Sequence, residues 1–317
     1  MSFNPFSADP EIRSRQERLA QSIGIELQSE ILALLSASTR QPGSSDGAVL
    51  PKQQAEALIA RYSLSGVEEL MLLALKPARD FAQPPISSFF VGAVGLERET
   101  GNLVFGGNME FPGTHLGFTI HGEGYVFTRA ASRGTTISHL AIGEAHPCAH
   151  CRQYLSEFAA TRDLILIDPL GHRLTMAQLY PWPFDPDYLG EVGFVPGTVH
   201  DRSLAANDHP PAIAAALLDA ARRAHAPYSK SPGAVVLALQ DGSLISGFAI
   251  ESVAFNPTMG PLQAALINLS ANGYTPDDIA SSALATTLGG DVDYSASTAE
   301  LLGKVAPGVP LTVVGLT

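Results

Sequence analysis

Two stretches of this chain can be laid over each other, and that self-similarity limits the fold more than any other feature. PISSFFVGAV, from Pro85, aligns with PYSKSPGAVV, from Pro227, once one residue is deleted. GNLVFGGNMEF, from Gly101, aligns with GSLISGFAIES, from Gly242, without a gap. Both copies carry short runs of branched and aromatic residues next to polar turns, the pattern of paired strands. Apolar residues at intervals of three and four follow in each, the pattern of a helix. A chain that writes strand, strand, helix twice must build layers of sheet and helix twice. The fold class expected is α/β: two tandem three-layer α/β/α domains, each a mixed sheet flanked by helices, with a small helical N-terminal region.

The boundaries follow from composition. Residues 1–83 form the helical region, with helical spacing in EIRSRQERLAQSIGIELQSEILALL and VEELMLLALKPARDFA and a loop at QPGSSDG. Pro84 and Pro85 end it, since neither continues a helix. Residues 84–180 form the first α/β domain, with strands in SFFVGAVGL, NLVFGGNMEF, HLAIGEA and LILIDP. One helix is expected to start at or near His121 and another in CAHCRQYLSEFAA. Residues 181–210, rich in Pro, Gly and Asp, are a linker, and 211–317 form the second domain.

The first copy carries chemistry that the second lacks. The chain has two cysteines, Cys148 and Cys151, both in Pro-Cys-Ala-His-Cys, and upstream lies His121-Gly122-Glu123. One imidazole and two thiolates make three zinc ligands with one tetrahedral position open, the count of a catalytic site. A structural zinc site would need a fourth ligand, for which His146 and His150 are the nearest candidates. A redox dithiol is the other alternative, and it leaves His-x-Glu without a role. Both thiolates can face one point from the first turn of a helix, where free N–H groups and the helix dipole favour them. N–H donation to the sulfurs helps keep a zinc-held water acidic. Glu123, at the first turn of its own helix, can lean over the helix end and handle that water's proton. Asn108 and Glu110 lie two apart on a strand, so they share a face and offer partners for sugar hydroxyls; a solvated strand face is the plainer alternative. Phe89 and Phe90 alternate, which sends one to the core and leaves the other for a pocket. In the second copy Glu110 falls opposite Glu251, Asn108 opposite Ala249 and Phe89 opposite Ser231. With a further gap, His121 and Glu123 fall opposite Pro261 and Gln263. That copy keeps the scaffold without the metal site.

Composition narrows the partners. The net charge of −12, with no Lys/Arg cluster, opposes binding to nucleic acid. A small uncharged or cationic substrate is expected. No apolar run approaches the roughly 18–20 residues of a membrane span, and no signal peptide is read at the N-terminus. Two cysteines at metal spacing suit a reducing cytoplasm.

His-x-Glu followed by Pro-Cys-x-x-Cys is a known signature of zinc deaminases. Together with SFFVGA, GGNMEFPG, HGEG, PCAHCRQ, APYSKSPG and AFNPTMGPLQAAL, it makes the chain resemble the long-chain, homodimeric, zinc-dependent cytidine deaminases. The resemblance implies one zinc ion per chain on His121, Cys148 and Cys151, no organic cofactor, and Glu123 as proton shuttle. It implies a ribose-binding pair in Asn108 and Glu110, with Met109 between them, and Phe89 against the pyrimidine. It implies a homodimer with pockets near the interface, while leaving open whether a partner chain adds Phe255 or Asn256. The activity implied is hydrolysis of cytidine and 2′-deoxycytidine to uridine and 2′-deoxyuridine plus ammonia, as in pyrimidine salvage. One departure stands out: the family has His-Ala-Glu-Gln where this chain has His121-Gly122-Glu123-Gly124. Each helical Gly costs roughly 0.5–1 kcal/mol against Ala, and the expectation is a roomier pocket that accepts cytidines enlarged at the exocyclic amine. The rival readings are a deaminase of modified or N4-substituted cytidines and a non-catalytic zinc-binding protein on the same scaffold.

Overall fold

The computed structural model describes residues 9–41, 46–143 and 146–317. The middle of the QPGSSDG loop and the Glu144–Ala145 end of the HLAIGEA stretch lie outside them. The N-terminal region begins with α1 (Pro10–Ser22), capped by Asp9, whose carboxylate accepts from the N–H groups of Glu11 and Ile12. In α2 (Gly24–Ser36) the buried residues are Leu27, Ile31 and Leu35, four apart on one face. After β1 (Val49–Leu50) come α3 (Lys52–Arg61), α4 (Val67–Leu73) and α5 (Leu75–Ala78). The two-residue β1 was not expected in a helical region.

The first domain follows as β2 (Gly92–Glu97), β3 (Leu103–Gly107), α6 (Gly122–Ser132), β4 (Ile137–Ile142), α7 (Ala149–Ser156), β5 (Ile165–Ile167), β6 (Arg173–Thr175) and α8 (Met176–Leu179). Its sheet runs β1-β3-β2-β4-β5-β6. β1 pairs antiparallel with β3, Val49 opposite Val104, so the N-terminal region finishes the edge of this sheet. Only β4 and β5 run parallel. Past the linker come α9 (Pro211–Arg223), β7 (Gly233–Leu239), β8 (Leu244–Phe248), α10 (Pro261–Ala271), β9 (Ile279–Thr286), α11 (Ser295–Val305) and β10 (Leu311–Gly315). The second sheet runs β10-β9-β7-β8, again with one parallel pair, β9 and β10. Two tandem mixed sheets flanked by helices are therefore present, as expected.

The copies match in detail. β3-β2-β4-β5 corresponds to β8-β7-β9-β10. Both sheets bulge at the same place, between Leu96 and Glu97 and between Ala238 and Leu239. Ser88 and Lys230, just before the first strand of each, both sit in the left-handed region, at φ 55° and 54°. Gly92 pairs with Gly107, and Ala234 with Phe248. Gly92 thus corresponds to Ala234, and no deletion is needed in this stretch. The alignment of the helix also shifts. Met109 and Ile120 bridge antiparallel before α6, as Ile250 and Met259 do before α10. His121 and Gly260 are the two N-caps. Gly260 and Leu262, rather than Pro261 and Gln263, therefore stand opposite His121 and Glu123. The connecting loop is shorter in the second copy, which the sequence alignment placed wrongly.

The copies share one apolar core, and α6 packs against α10. Glu157, wholly buried beyond the end of α7, hydrogen-bonds with His225 Nε2 at 2.7 Å and accepts from Tyr228 Oη at 2.8 Å and Val253 N at 2.8 Å, all in the second copy. Buried carboxylates need partners of this kind. No helix among the described residues is long and apolar enough to cross a membrane.

Candidate active site

Two helix N-termini converge to make the site. The antiparallel bridge between Met109 and Ile120, with N–H···O distances of 2.8 and 2.9 Å, delivers the chain to His121 at the N-cap of α6. Cys148 is the N-cap of α7, and its sulfur accepts the Cys151 N–H at 3.5 Å. The donors form a triangle: Cys148 Sγ to Cys151 Sγ 3.6 Å, Cys148 Sγ to His121 Nδ1 3.6 Å, and Cys151 Sγ to His121 Nδ1 3.3 Å. Tetrahedral zinc with ordinary bond lengths needs edges of about 3.8 Å between sulfurs and about 3.6 Å between sulfur and nitrogen. The triangle fits zinc to within a few tenths of an ångström. Neither candidate fourth ligand joins it. His146 turns to Asp168, at 2.5 Å, and His150 to the Asn256 carbonyl oxygen, at 3.1 Å.

A pocket of about 240 Å³ opens on the triangle and brings together Phe89, Asn108, Glu110, His121, Glu123 and Cys148. Ser87, Val91, Thr119 and His146 also line it and were not singled out from the sequence for this pocket. Thr119 could have been found, since it lies two residues before His121 on an extended segment and shares its side. Met109 is not brought in: its side chain is 4 % exposed and belongs to the core. Neither Phe89 nor Phe90 takes the core position expected of one of them. Both Phe89 and Phe90 are 49 % exposed, because the strand begins only at Gly92.

Each polar group has a definite environment. Asn108 accepts from Val91 N–H at 2.9 Å and donates to the Phe89 carbonyl at 2.8 Å, so its amide fixes the segment that carries Phe89. Glu110 accepts from the N–H groups of Ile86 and Ser87, both at 2.9 Å, and from Ser87 Oγ. Burial pushes Glu110 upward, but these hydrogen bonds, with Ser87 first, hold it below the usual carboxylate range. Glu123 is buried and interacts with the Cys151 side chain. Burial holds its carboxyl above the usual range, against its own backbone N–H and the His121 ring. The Cys151 thiol and then His121 pull Cys148 down to about 3, whereas the bond to Cys148, then burial, pushes Cys151 up. The raised His121 pKa has the same origin, its bond to Cys148.

Of the two glycines, Gly122 borders the pocket and Gly124 is not among its lining residues. A methyl on Gly122 would meet the Ala93 methyl at 3.1 Å, under the sheet. A methyl on Gly124 would meet Met259 Cε at 3.5 Å, in the second copy. The Gly124 side faces packing, whereas the Gly122 side lies between the packing of Ala93 and Val91 of the pocket wall, 3.7 Å away.

Models of the cytidine and deoxycytidylate deaminase zinc-binding region match residues 65–167 and 191–299. The cytidine deaminase of Photobacterium profundum is 35% identical over 269 residues, 84% of this chain and 89% of that one. That of Aliivibrio fischeri is 36% identical over 272 residues, again 84% and 89%. The crystal structure of cytidine deaminase from Mycobacterium leprae matches 37% of this chain and 100% of its own, at 27% identity and a TM-score of 0.33.

Proposed function

Since the chain belongs to the cytidine and deoxycytidylate deaminase family, we propose that His121, Cys148 and Cys151 hold its zinc and that Glu123 moves the protons. The protein is a zinc-dependent cytidine deaminase, converting cytidine to uridine and ammonia. Bound zinc supplies a water acidic enough to act as a nucleophile near neutral pH. Glu123 would take one proton from the water as its oxygen bonds to C4 and deliver it to N3, then pass that oxygen's second proton to the amino group as the C4–N bond breaks, releasing ammonia. General acid–base work of this kind contributes roughly 10²–10⁴-fold. The observation that carries this reading is the triangle of three donors with a buried carboxyl at its edge.

Phe89 is assigned to the pyrimidine face, and Asn108 and Glu110 to the ribose, each with hydrogen-bonding capacity left beyond its contacts to the chain. 2′-Deoxycytidine is read as a second substrate on the strength of the family resemblance. The chain works as a homodimer in this reading: Phe89, Phe90 and Phe255, the last 61 % exposed, are large apolar groups suited to burial by a second copy. Residues 84–180 are the catalytic domain and 211–317 the degenerate one. A cytoplasmic location suits thiolate ligands. The test is an ultraviolet assay of cytidine loss with and without a chelator, beside deoxycytidine, N4-substituted cytidines and a cytosine-containing oligonucleotide. Turnover of the two nucleosides, abolished by chelation, is expected. Turnover of the oligonucleotide alone, or unchanged rates after zinc removal, would overturn the assignment.

A further inference from the structure

We propose that His146, Asp168 and His172 form a second divalent-cation site at the rim of the nucleoside pocket. Asp168 follows β5, and its side chain is 4 % exposed. One of its oxygens, Oδ1, accepts from the N–H groups of Leu170 at 2.9 Å and His172 at 3.0 Å. That leaves Oδ2 aimed at two imidazoles, His146 Nε2 at 2.5 Å and His172 Nδ1 at 2.6 Å. The three donor atoms lie within 4.8 Å of one another, as those of the zinc triangle do. The two rings are held edge to face, 5.1 Å apart at 73°.

A carboxylate pinned through one oxygen by backbone amides, with the other turned to two imidazoles, has the support that metal-binding carboxylates have. Two imidazoles and one carboxylate, with coordination positions left open, suit zinc, cobalt, nickel, manganese or ferrous iron. The set has no sulfur, so it differs in preference from the first site. An ion about 2.0–2.2 Å from each donor needs edges of about 3 Å in octahedral geometry and about 3.3–3.6 Å in tetrahedral geometry. The rings must therefore withdraw from the oxygen by about half an ångström for an octahedral ion and by nearly an ångström for a tetrahedral one. His146 can do so, because its side chain is 37 % exposed and faces the pocket, whereas His172, at 11 %, is the fixed side. His146 is both a wall of the pocket and close in sequence to Cys148, so an ion here would fix that wall. The proposal rests on this geometry alone and not on the assignment of the substrate.

The test is a titration of the zinc-stripped full chain with Co²⁺. The first equivalent should give a near-ultraviolet thiolate-to-cobalt band, and a second should add visible bands without thiolate character. Asp168→Asn and His172→Gln should each keep the thiolate band and a native far-ultraviolet circular dichroism spectrum, while binding falls from two equivalents to one. Saturation of the unsubstituted chain at one equivalent overturns the proposal. So does binding of two equivalents by His172→Gln, which decides the matter alone if Asp168→Asn does not fold. Because the thiolate band reads the first site by itself, failure of one site is not mistaken for failure of the other.

Discussion

The two copies have the same strand order, the same bulge and the same left-handed residue before the first strand, yet only one has the residues for chemistry. Glu110 and Glu251 make this plain. Glu110 accepts the N–H groups of Ile86 and Ser87, and Glu251 those of Tyr228 and Ser229, at 2.9 and 3.2 Å. A carboxylate that does the same work in both copies belongs to the scaffold first. Asn108 has no such counterpart, since Ala249 stands opposite. At the metal centre the contrast is complete: Gly260 and Leu262 replace His121 and Glu123, and Tyr294 stands where Cys148 would be, as the N-cap of α11. The Tyr294 ring is buried, and a methyl on Gly233 would meet it at 2.5 Å. An aromatic ring packs the second copy where the first stays open. The sheet-and-helix frame is thus common to both copies, and the metal-binding residues are confined to the first.

The largest effect expected from breaking this contrast is at Glu123. Glu123→Gln should lose on the order of 10²–10⁴ in kcat while keeping its zinc, measured by cytidine loss and metal analysis. Leu262→Met, at the matching place, should leave the rate unchanged, with less than about 1.5 kcal/mol lost in stability. Next, Cys148→Ala should lose zinc and lower Tm, because metal binding is coupled to folding; unchanged zinc content would refute the ligand assignment. Third are the matched bulges. Glu97, buried against Arg133 Nε at 2.7 Å, stands opposite Leu239. Glu97→Ala should cost about 1–3 kcal/mol in urea unfolding, since Arg133 loses a buried hydrogen-bonded partner while keeping Asp46 at 3.0 Å.

This third pair also sharpens the comparison through pH. Burial pushes Glu97 up, but the Arg133 and Thr100 hydrogen bonds bring it below the usual carboxylate range. A depressed folded pKa adds stability above the unfolded value, about 4.3, and that stability is lost as pH falls through the folded value. Acid titration of unfolding should show this loss in the unsubstituted chain and less of it in Glu97→Gln. The last contrast separates scaffold from site: Glu251→Gln should cost about 1–3 kcal/mol in stability, whereas Glu110→Gln should cost a similar amount and also raise KM. Equal KM values would remove Glu110 from the ribose site.

Much of this was legible in the chain because the signals are local. His121, Glu123, Cys148 and Cys151 lie in two short motifs, each at the start of a helix that its own spacing announces. Alternating apolar runs marked the strands of both sheets. What stayed hidden depends on distance. β1 is two residues long, too short for any period, and exists because β3 offers an edge. The faces of Gly122 and Gly124 could be known only once Ala93 and Met259 had been placed. His146, Asp168 and His172 belong to a turn, a strand end and a loop that nothing in their spacing connects.

The helix that carries Glu123 leans along its flank on α10, and the helix that carries both cysteines is anchored through Glu157 to His225, Tyr228 and Val253. Cutting the chain at its linker would leave the metal-bearing helices with wet flanks and an unanswered buried charge. The silent copy can surrender every reactive group it once had a place for, but it cannot surrender its volume.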